Sequence, residues 1–159
     1  MKDPAEALRI ATVNALQAGN ISYTIVVGGT PVTYADVPIF DEFTEDNTSF
    51  PRIIIQDAQV GPQQGSKIGF RANCTQVIKV TMAFPGSGGV TKNITDNISS
   101  QIMQLLVPSP QGPFMDLGPD FKIMLAVVAG AVNQSYQDAE RKYIDRNVRI
   151  TYTIEQLNT

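Results

Sequence analysis

The sequence contains no histidine, no tryptophan and a single cysteine. The lack of histidine removes the commonest metal ligand and the commonest general base. It also excludes an ordinary serine or cysteine catalytic triad. One cysteine cannot form an intramolecular disulfide or a cysteine-rich zinc site. We therefore expect no catalytic residues, no metal and no cofactor.

Charged residues are also scarce, at 17% of the chain. Twelve lysines and arginines against fifteen acidic residues give a net charge of −3. Duplex binding needs a basic excess that neutralises phosphates, so this is not the composition of a nucleic-acid binder. An apolar fraction of 43% is too high for a disordered chain.

Long apolar runs are missing as well. The longest, Ile123 to Val132, is interrupted by Gly130 and is shorter than the ~18 residues that a membrane helix needs. Residues 1–6 do not resemble a targeting signal, because no apolar segment follows them. At 159 residues we expect one soluble domain, residues 1–159, made in a reducing cytosol.

Apolar spacing predicts two helices, Asp3 to Ala18 and Thr91 to Val107, and the second has an isoleucine and leucine stripe. Alternation predicts a glycine-turned hairpin and four further strands. These are Ile21–Val27 with Val32–Tyr34, Arg52–Ile55, Cys74–Phe84, Phe121–Ala129 and Asp145–Glu155. Within Phe121–Ala129, one face of the strand is expected to carry Phe121, Ile123, Leu125 and Val127.

The strands follow one another without intervening helices, which favours a mostly antiparallel sheet. We predict an α+β fold with two helices packed on one face of that sheet. Glycine, proline and glutamine predict long loops at 59–73 and 108–120. Residues 130–140 are polar and predict a turn or wide loop.

Two glycine-rich segments have some features of phosphate-binding loops. Gly61 to Lys67 has the wrong spacing for a phosphate loop and no helix pattern after it. Gly86 to Gly89 lies between a strand and a helix, where a turn needs glycine in any case. We interpret both as connections. Cys74 begins a strand and is interpreted as a buried structural thiol.

The densest charge cluster is acidic and consists of Asp41, Glu42, Glu45 and Asp46. Such carboxylates can act as acid and base or hold a hard cation, but the calcium-loop pattern is absent. A solvated loop is the simpler interpretation, and a surface that repels a polyanion is a third. The one basic cluster, Arg141, Lys142, Arg146 and Arg149, is interleaved with acidic residues and favours salt bridges to a neighbouring subunit or solvation.

From Val37-Pro38-Ile39-Phe40, through the acidic gap, to Phe50-Pro51 and Arg52 to Ile55, the sequence resembles the tail-terminator, or tail-completion, proteins of tailed bacteriophages. The order of a short helix, an extended segment, Phe-Pro before a strand, a long strand, a helix and an arginine-bearing last strand covers most of the chain. Phe84 stands where the family often has tryptophan, and the hairpin at Val27 to Val32 is larger than usual.

The resemblance implies a structural role without catalytic residues. Subunits of that family form a closed, usually six-fold ring in the virion that caps the tail tube, meets the head connector and lets DNA pass. Since DNA must pass without being held, we expect Asp41, Glu42, Glu45 and Asp46 to face the lumen. We expect Gln63, Gln64, Lys67, Arg141 and Arg146 at subunit interfaces.

Two other functional classes stay open at this point. A cell-surface or carbohydrate-binding module would need an aromatic platform, but tryptophan is absent and the tyrosines are scattered. An enzyme that uses carboxylates alone would need two separated clusters, and the sequence has one.

Overall fold

The computed structural model describes residues 2–41, 50–62, 64–66, 69–86 and 92–157. Within these ranges the helices are α1 (Ala5–Ala18) and α2 (Asn93–Leu106). The strands are β1 (Tyr23–Val27), β2 (Thr30–Tyr34), β3 (Ile39–Asp41), β4 (Arg52–Ile55), β5 (Gln59–Val60), β6 (Gln64–Ser66), β7 (Gly69–Pro85), β8 (Phe121–Gln137) and β9 (Arg141–Gln156). Neither described helix is long and apolar enough to cross a membrane.

One sheet organises the molecule. Its strands follow the order β3-β4-β7-β9-β8, and β5 and β6 also pair with β7. Every pair in it is antiparallel except β3 with β4, which is parallel. The remaining strands, β1 and β2, form a separate two-stranded unit that we call the ribbon. The predicted α+β fold with a mostly antiparallel sheet is confirmed.

Both helices pack on the same face of the sheet, which we call the helix face. Alternation along β7 and β9 directs every second side chain there. The buried sheet residues include Ala72, Cys74, Ile78, Val80, Val148, Ile150, Tyr152 and Ile154. The helices contribute Leu8, Ala11 and Leu16 from α1 and Ile94, Ile98, Ile102 and Leu106 from α2. These side chains form one core, as the matching strand and helix periods predict.

The ribbon is joined to the core at its base. Gly28 and Gly29 have φ angles of 58° and 83°, which is the left-handed backbone that a two-residue hairpin turn requires. Across the base of the ribbon Tyr23 stacks on Tyr34 with ring centroids 5.2 Å apart. The Gln101 side chain of α2 donates to the Ser22 carbonyl at 2.7 Å and accepts from its N–H at 3.2 Å. The ribbon therefore lies on the helix side of the sheet.

The predicted loop at 59–73 is wrong over much of its length. β5 and β6 pair with the first half of β7, which begins at Gly69 rather than at Cys74. Gln59 pairs with Thr75, and Gln64 with Arg71. Main-chain hydrogen bonds hold these short strands. Such bonds do not require alternating apolar side chains, so the sequence carries no pattern that predicts the strands. Residues 107–120 have no helix or strand.

The predicted turn at 130–140 is also wrong, because β8 continues to Gln137 and β9 begins at Arg141. β8 pairs with β9 along its length, with register shifts between Ile123 and Leu125 and between Val128 and Gly130. The first shift overturns the expectation that Phe121, Ile123, Leu125 and Val127 share one face. A β-bulge inserts one residue and so reverses which face the following side chains take.

The core packing leads to a first prediction. Ile98 is completely buried between α2 and the sheet, so Ile98→Ala leaves a cavity and should lower the free energy of unfolding by about 2–5 kcal/mol. The control is Ser100→Ala, an exposed site on the same helix, which should change it by less than about 0.5 kcal/mol. Urea unfolding followed by circular dichroism measures both. Equal midpoints for the two variants would contradict this packing.

Candidate assembly surface

The face of the sheet opposite the helices, which we call the open face, has no helix over it in the described part of the chain. Cross-strand register places Arg52, Thr81 and Asp145 in one row, and Lys79 beside Asn147 in the next. Asp145 is only 6% exposed and accepts a hydrogen bond from the Thr81 hydroxyl at 2.7 Å. The other side chains of these rows are mainly polar or basic, so the open face can make polar contacts.

A groove of about 480 Å³ crosses the open face near the middle of β8. It is bounded by amide, apolar and basic side chains together with glycine backbone: Gln56, Val77, Ala129, Gly130, Val132, Gln134, Asn147 and Arg149. A Cβ built on Gly130 would meet no atom within 4 Å. The open face is therefore indented at this point and can accept a protruding side chain.

Aromatic and guanidinium groups meet at one end of the open face, and we call this group the aromatic cluster. The Tyr136 and Tyr143 rings stack with centroids 4.8 Å apart, and Tyr143 meets Phe50 edge to face at 5.9 Å. The guanidinium of Arg52 lies 4.5 Å from the Phe50 ring centroid, and that of Arg141 lies 5.8 Å away. Cation–π contacts of this kind hold both charges beside an aromatic surface.

A carboxylate closes the β8–β9 hairpin beside the aromatic cluster. Asp138 Oδ1 accepts hydrogen bonds from the N–H groups of Glu140 and Arg141 at 2.8 Å and 2.7 Å. These bonds lower the pKa of the Asp138 carboxyl. The Tyr143 hydroxyl donates to the other carboxylate oxygen at 2.9 Å, and this bond raises the pKa of that hydroxyl. The hydrogen bonds of this turn therefore favour the ionised form of the Asp138 carboxyl.

The two arginines expected at subunit interfaces lie on opposite faces of β9. Arg141 lies on the open face, beside Phe50. Arg146 lies on the helix face, where its Nε donates to the Ser99 hydroxyl at 2.8 Å and its Nη1 to Asn133 at 3.2 Å. Its Nη1 also lies 3.5 Å from an Asp96 carboxylate oxygen. Arg146 therefore links β8, β9 and α2 within one copy of the chain, and an additional interface role stays a prediction.

The other predicted residues are placed only in part. Asp41 ends β3 and forms an ion pair with Arg9 of α1 at 3.4 Å. Gln64 lies in β6. The remaining predicted lumen and interface residues, Glu42, Glu45, Asp46, Gln63 and Lys67, lie outside the described residues. The lumen and interface assignments stay predictions.

Exposed apolar side chains are concentrated in two elements. Nine large hydrophobic residues of the described chain are exposed, and eight of them lie in the ribbon or in β8. The ribbon has Val26, Val27 and Tyr34; β8 has Met124, Leu125, Val127, Val132 and Tyr136. Concentrated exposure of this kind marks an interaction surface. Sequence reasoning missed it because the two bulges of β8 decide which side chains point outward.

The described residues contain no group of three or more acidic or cysteine side chains that could hold a metal ion. Cys74 is completely buried on the helix face. Burial, with a smaller contribution from the nearby Asp3 charge, raises the pKa of its thiol to about 11. The interpretation of Cys74 as a buried thiol is confirmed.

Comparison with known proteins identifies a shared fold. No protein-family model and no curated protein matches the sequence. Among solved structures, the chain is similar to one in a structure described as the virion of a native gene transfer agent (GTA) particle. The TM-score is 0.62 at 15% sequence identity, and the match covers 94% of this chain and 96% of that one. The two chains therefore have the same fold over almost their whole lengths.

The contacts of Arg146 lead to a second prediction. Arg146→Gln should destabilise the isolated chain by about 1–3 kcal/mol, because Ser99 and Asn133 lose a charged donor. Combined with Ser99→Ala, the loss should be smaller than the sum of the two single losses, since both remove the same hydrogen bond. Urea unfolding of the four proteins measures this coupling. Strict additivity would show that the bond contributes nothing to the fold.

Proposed function

We propose that this chain is a structural virion protein of a phage-like particle, without catalytic activity. We propose further that its copies assemble head to tail into a closed ring of about six at the head–tail junction or the end of the tail tube. There the ring would cap the tube, meet the tube and head-connector proteins, and let DNA pass.

The main support is the fold shared with a chain of a GTA virion over almost the full length of both. A fold alone does not fix a function, so the surfaces of this chain have to agree with the proposal. The exposed apolar residues of the ribbon and β8 are suited to contacts between proteins. The order of elements agrees with the tail-terminator resemblance found in the sequence.

The charge distribution is compatible with passage of DNA through the ring. A channel rich in lysine and arginine would bind phosphates and release counterions, so the DNA would be held. Carboxylates repel the DNA backbone, and at physiological salt this acts only within about 8–10 Å. The proposal therefore places the acidic cluster Asp41, Glu42, Glu45 and Asp46 at the lumen or its rim.

The mass of the assembled particle is the first test of the ring. One copy has a mass of 17.3 kDa. We expect native mass spectrometry to give a single species at a whole-number multiple of this value, and negative-stain electron microscopy to show an axial opening. A single-copy mass at every concentration would contradict the ring and favour an isolated binding module. Filaments of variable length would contradict closure.

Charge reversal tests the acidic lumen. We expect assembled Glu42→Lys/Glu45→Lys/Asp46→Lys particles to bind duplex DNA, with an affinity that falls steeply as salt rises, whereas unaltered particles do not bind. Fluorescence anisotropy with a labelled duplex measures the binding. The matched control reverses three acidic residues that are exposed elsewhere, Glu6, Asp57 and Asp116. Equal binding by both triple variants would contradict a special position for the acidic cluster.

A further inference from the structure

We propose that the ribbon of one copy packs against the outer apolar side chains of β8 in the next copy, which makes these two elements the two halves of one head-to-tail contact. The β8 half is the stripe of Leu125, Val127, Val132 and Tyr136, which we call the apolar stripe. The ribbon half is its tip, at Val26 and Val27. This contact deepens the proposed ring and rests on it.

Exposure is the first argument. Val26 is 70% exposed and Val132 is 61% exposed. Soluble chains scatter such residues singly, whereas here eight of the nine described cases lie in the ribbon or β8. A two-stranded ribbon has little stability of its own in water, so its tip gains from a surface to pack against. Packing the ribbon tip of one copy on the apolar stripe of the next would remove both groups of exposed side chains from water.

The lack of charge on both surfaces is the second argument. Residues 21–35, which contain the whole ribbon, include no charged side chain, and neither do residues 123–137 of β8. Packing one element against the other therefore buries no charge carried by either of them, and the basic group that borders the groove, Arg149, belongs to β9. A partner whose contact surface carried lysine or aspartate side chains would have to desolvate them here. The ribbon of a second copy has no charged side chain and avoids this cost.

The positions of the two elements decide the type of contact. The ribbon is attached to α2 on the helix side of the sheet, whereas register places the apolar stripe on the open face. One copy therefore cannot satisfy both patches by an internal contact. Two different patches on opposite sides of a subunit make a heterologous contact, which repeats around a ring.

The ribbon meets β8 by its side chains rather than by extending the sheet. Pro31 lies in β2 opposite Val26. It has no N–H to donate, so this edge of the ribbon is poorly suited to pairing with another strand. The groove beside Gly130 lies next to Val132 on the open face. An apolar side chain from the ribbon tip can enter this groove.

Cross-linking between copies tests this contact. We expect the double variant Val26→Cys/Val132→Cys, treated with a short bis-maleimide, to give a ladder of covalent oligomers that ends at the size of the native particle. The unsubstituted chain is a control, since Cys74 is buried and its pKa is raised to about 11. Each single variant should stay at the single-copy position, because a heterologous contact does not bring two identical residues together. Dimers from either single variant would indicate an isologous contact and overturn the proposal.

Lysine substitutions give a second, independent measurement. Val132→Lys and Val26→Lys place a charge in the contact and should each raise the concentration needed for half-assembly by about tenfold or more. Gln104→Lys, at an exposed site on α2, should leave it unchanged. Particles that assemble normally with either of the first two substitutions would overturn the contact and leave the ring intact. A single-copy mass for the unsubstituted chain would overturn both.

Discussion

The constraint on which the structure depends is that one long antiparallel pairing is covered by helices on one side only. β7 and β9 pair without interruption from Arg71 with Glu155 to Pro85 with Arg141. Alternation sends half of their side chains to the helix face, where Ile78, Val148 and the stripe of α2 exclude water. The other half points to the open face, over which the described chain has no second layer. Stability and a free surface thus come from the same pairing.

Because helices cover only one face of the sheet, side chains on the helix face must pack together without water, whereas those on the open face must be compatible with water. The helix face is mainly apolar. Its charged side chain Arg146 is accommodated there because Ser99, Asn133 and Asp96 bind its guanidinium. On the open face, polar and basic side chains are compatible with water, so folding does not explain the exposed apolar residues of β8. Residues that the fold does not require are the ones that assembly can use.

The sequence predicted the parts of the fold that bury side chains. Both helices and the centre of β7 were expected because apolar residues recur there at helical or alternating spacing, and β4 because three isoleucines follow one another. β5, β6 and the far half of β8 were missed, since main-chain pairing holds them and they have no apolar alternation. Of the candidate assembly surface, Arg141 was expected at a subunit interface, which stays a prediction, and the aromatic cluster beside it was not foreseen. The pairing of β8 with β9 brings Tyr136 to Tyr143, and the pairings of β4 with β7 and of β7 with β9 bring Phe50 and Arg52 beside them.

The bulges of β8 connect these observations. Phe121 and Ile123 are buried on the helix face, and unbroken alternation would send Leu125 and Val127 there as well. The first register shift turns both outward. The second shift reverses the order again, so that Ala131 faces the helices and Val132 and Tyr136 face out. Side chains suited to a core thereby face outward along residues 123–137 of an edge strand, a range that has no charged side chain. Exposed apolar side chains of this kind invite non-specific association, and a ring in which the next copy covers every apolar stripe would remove them from water.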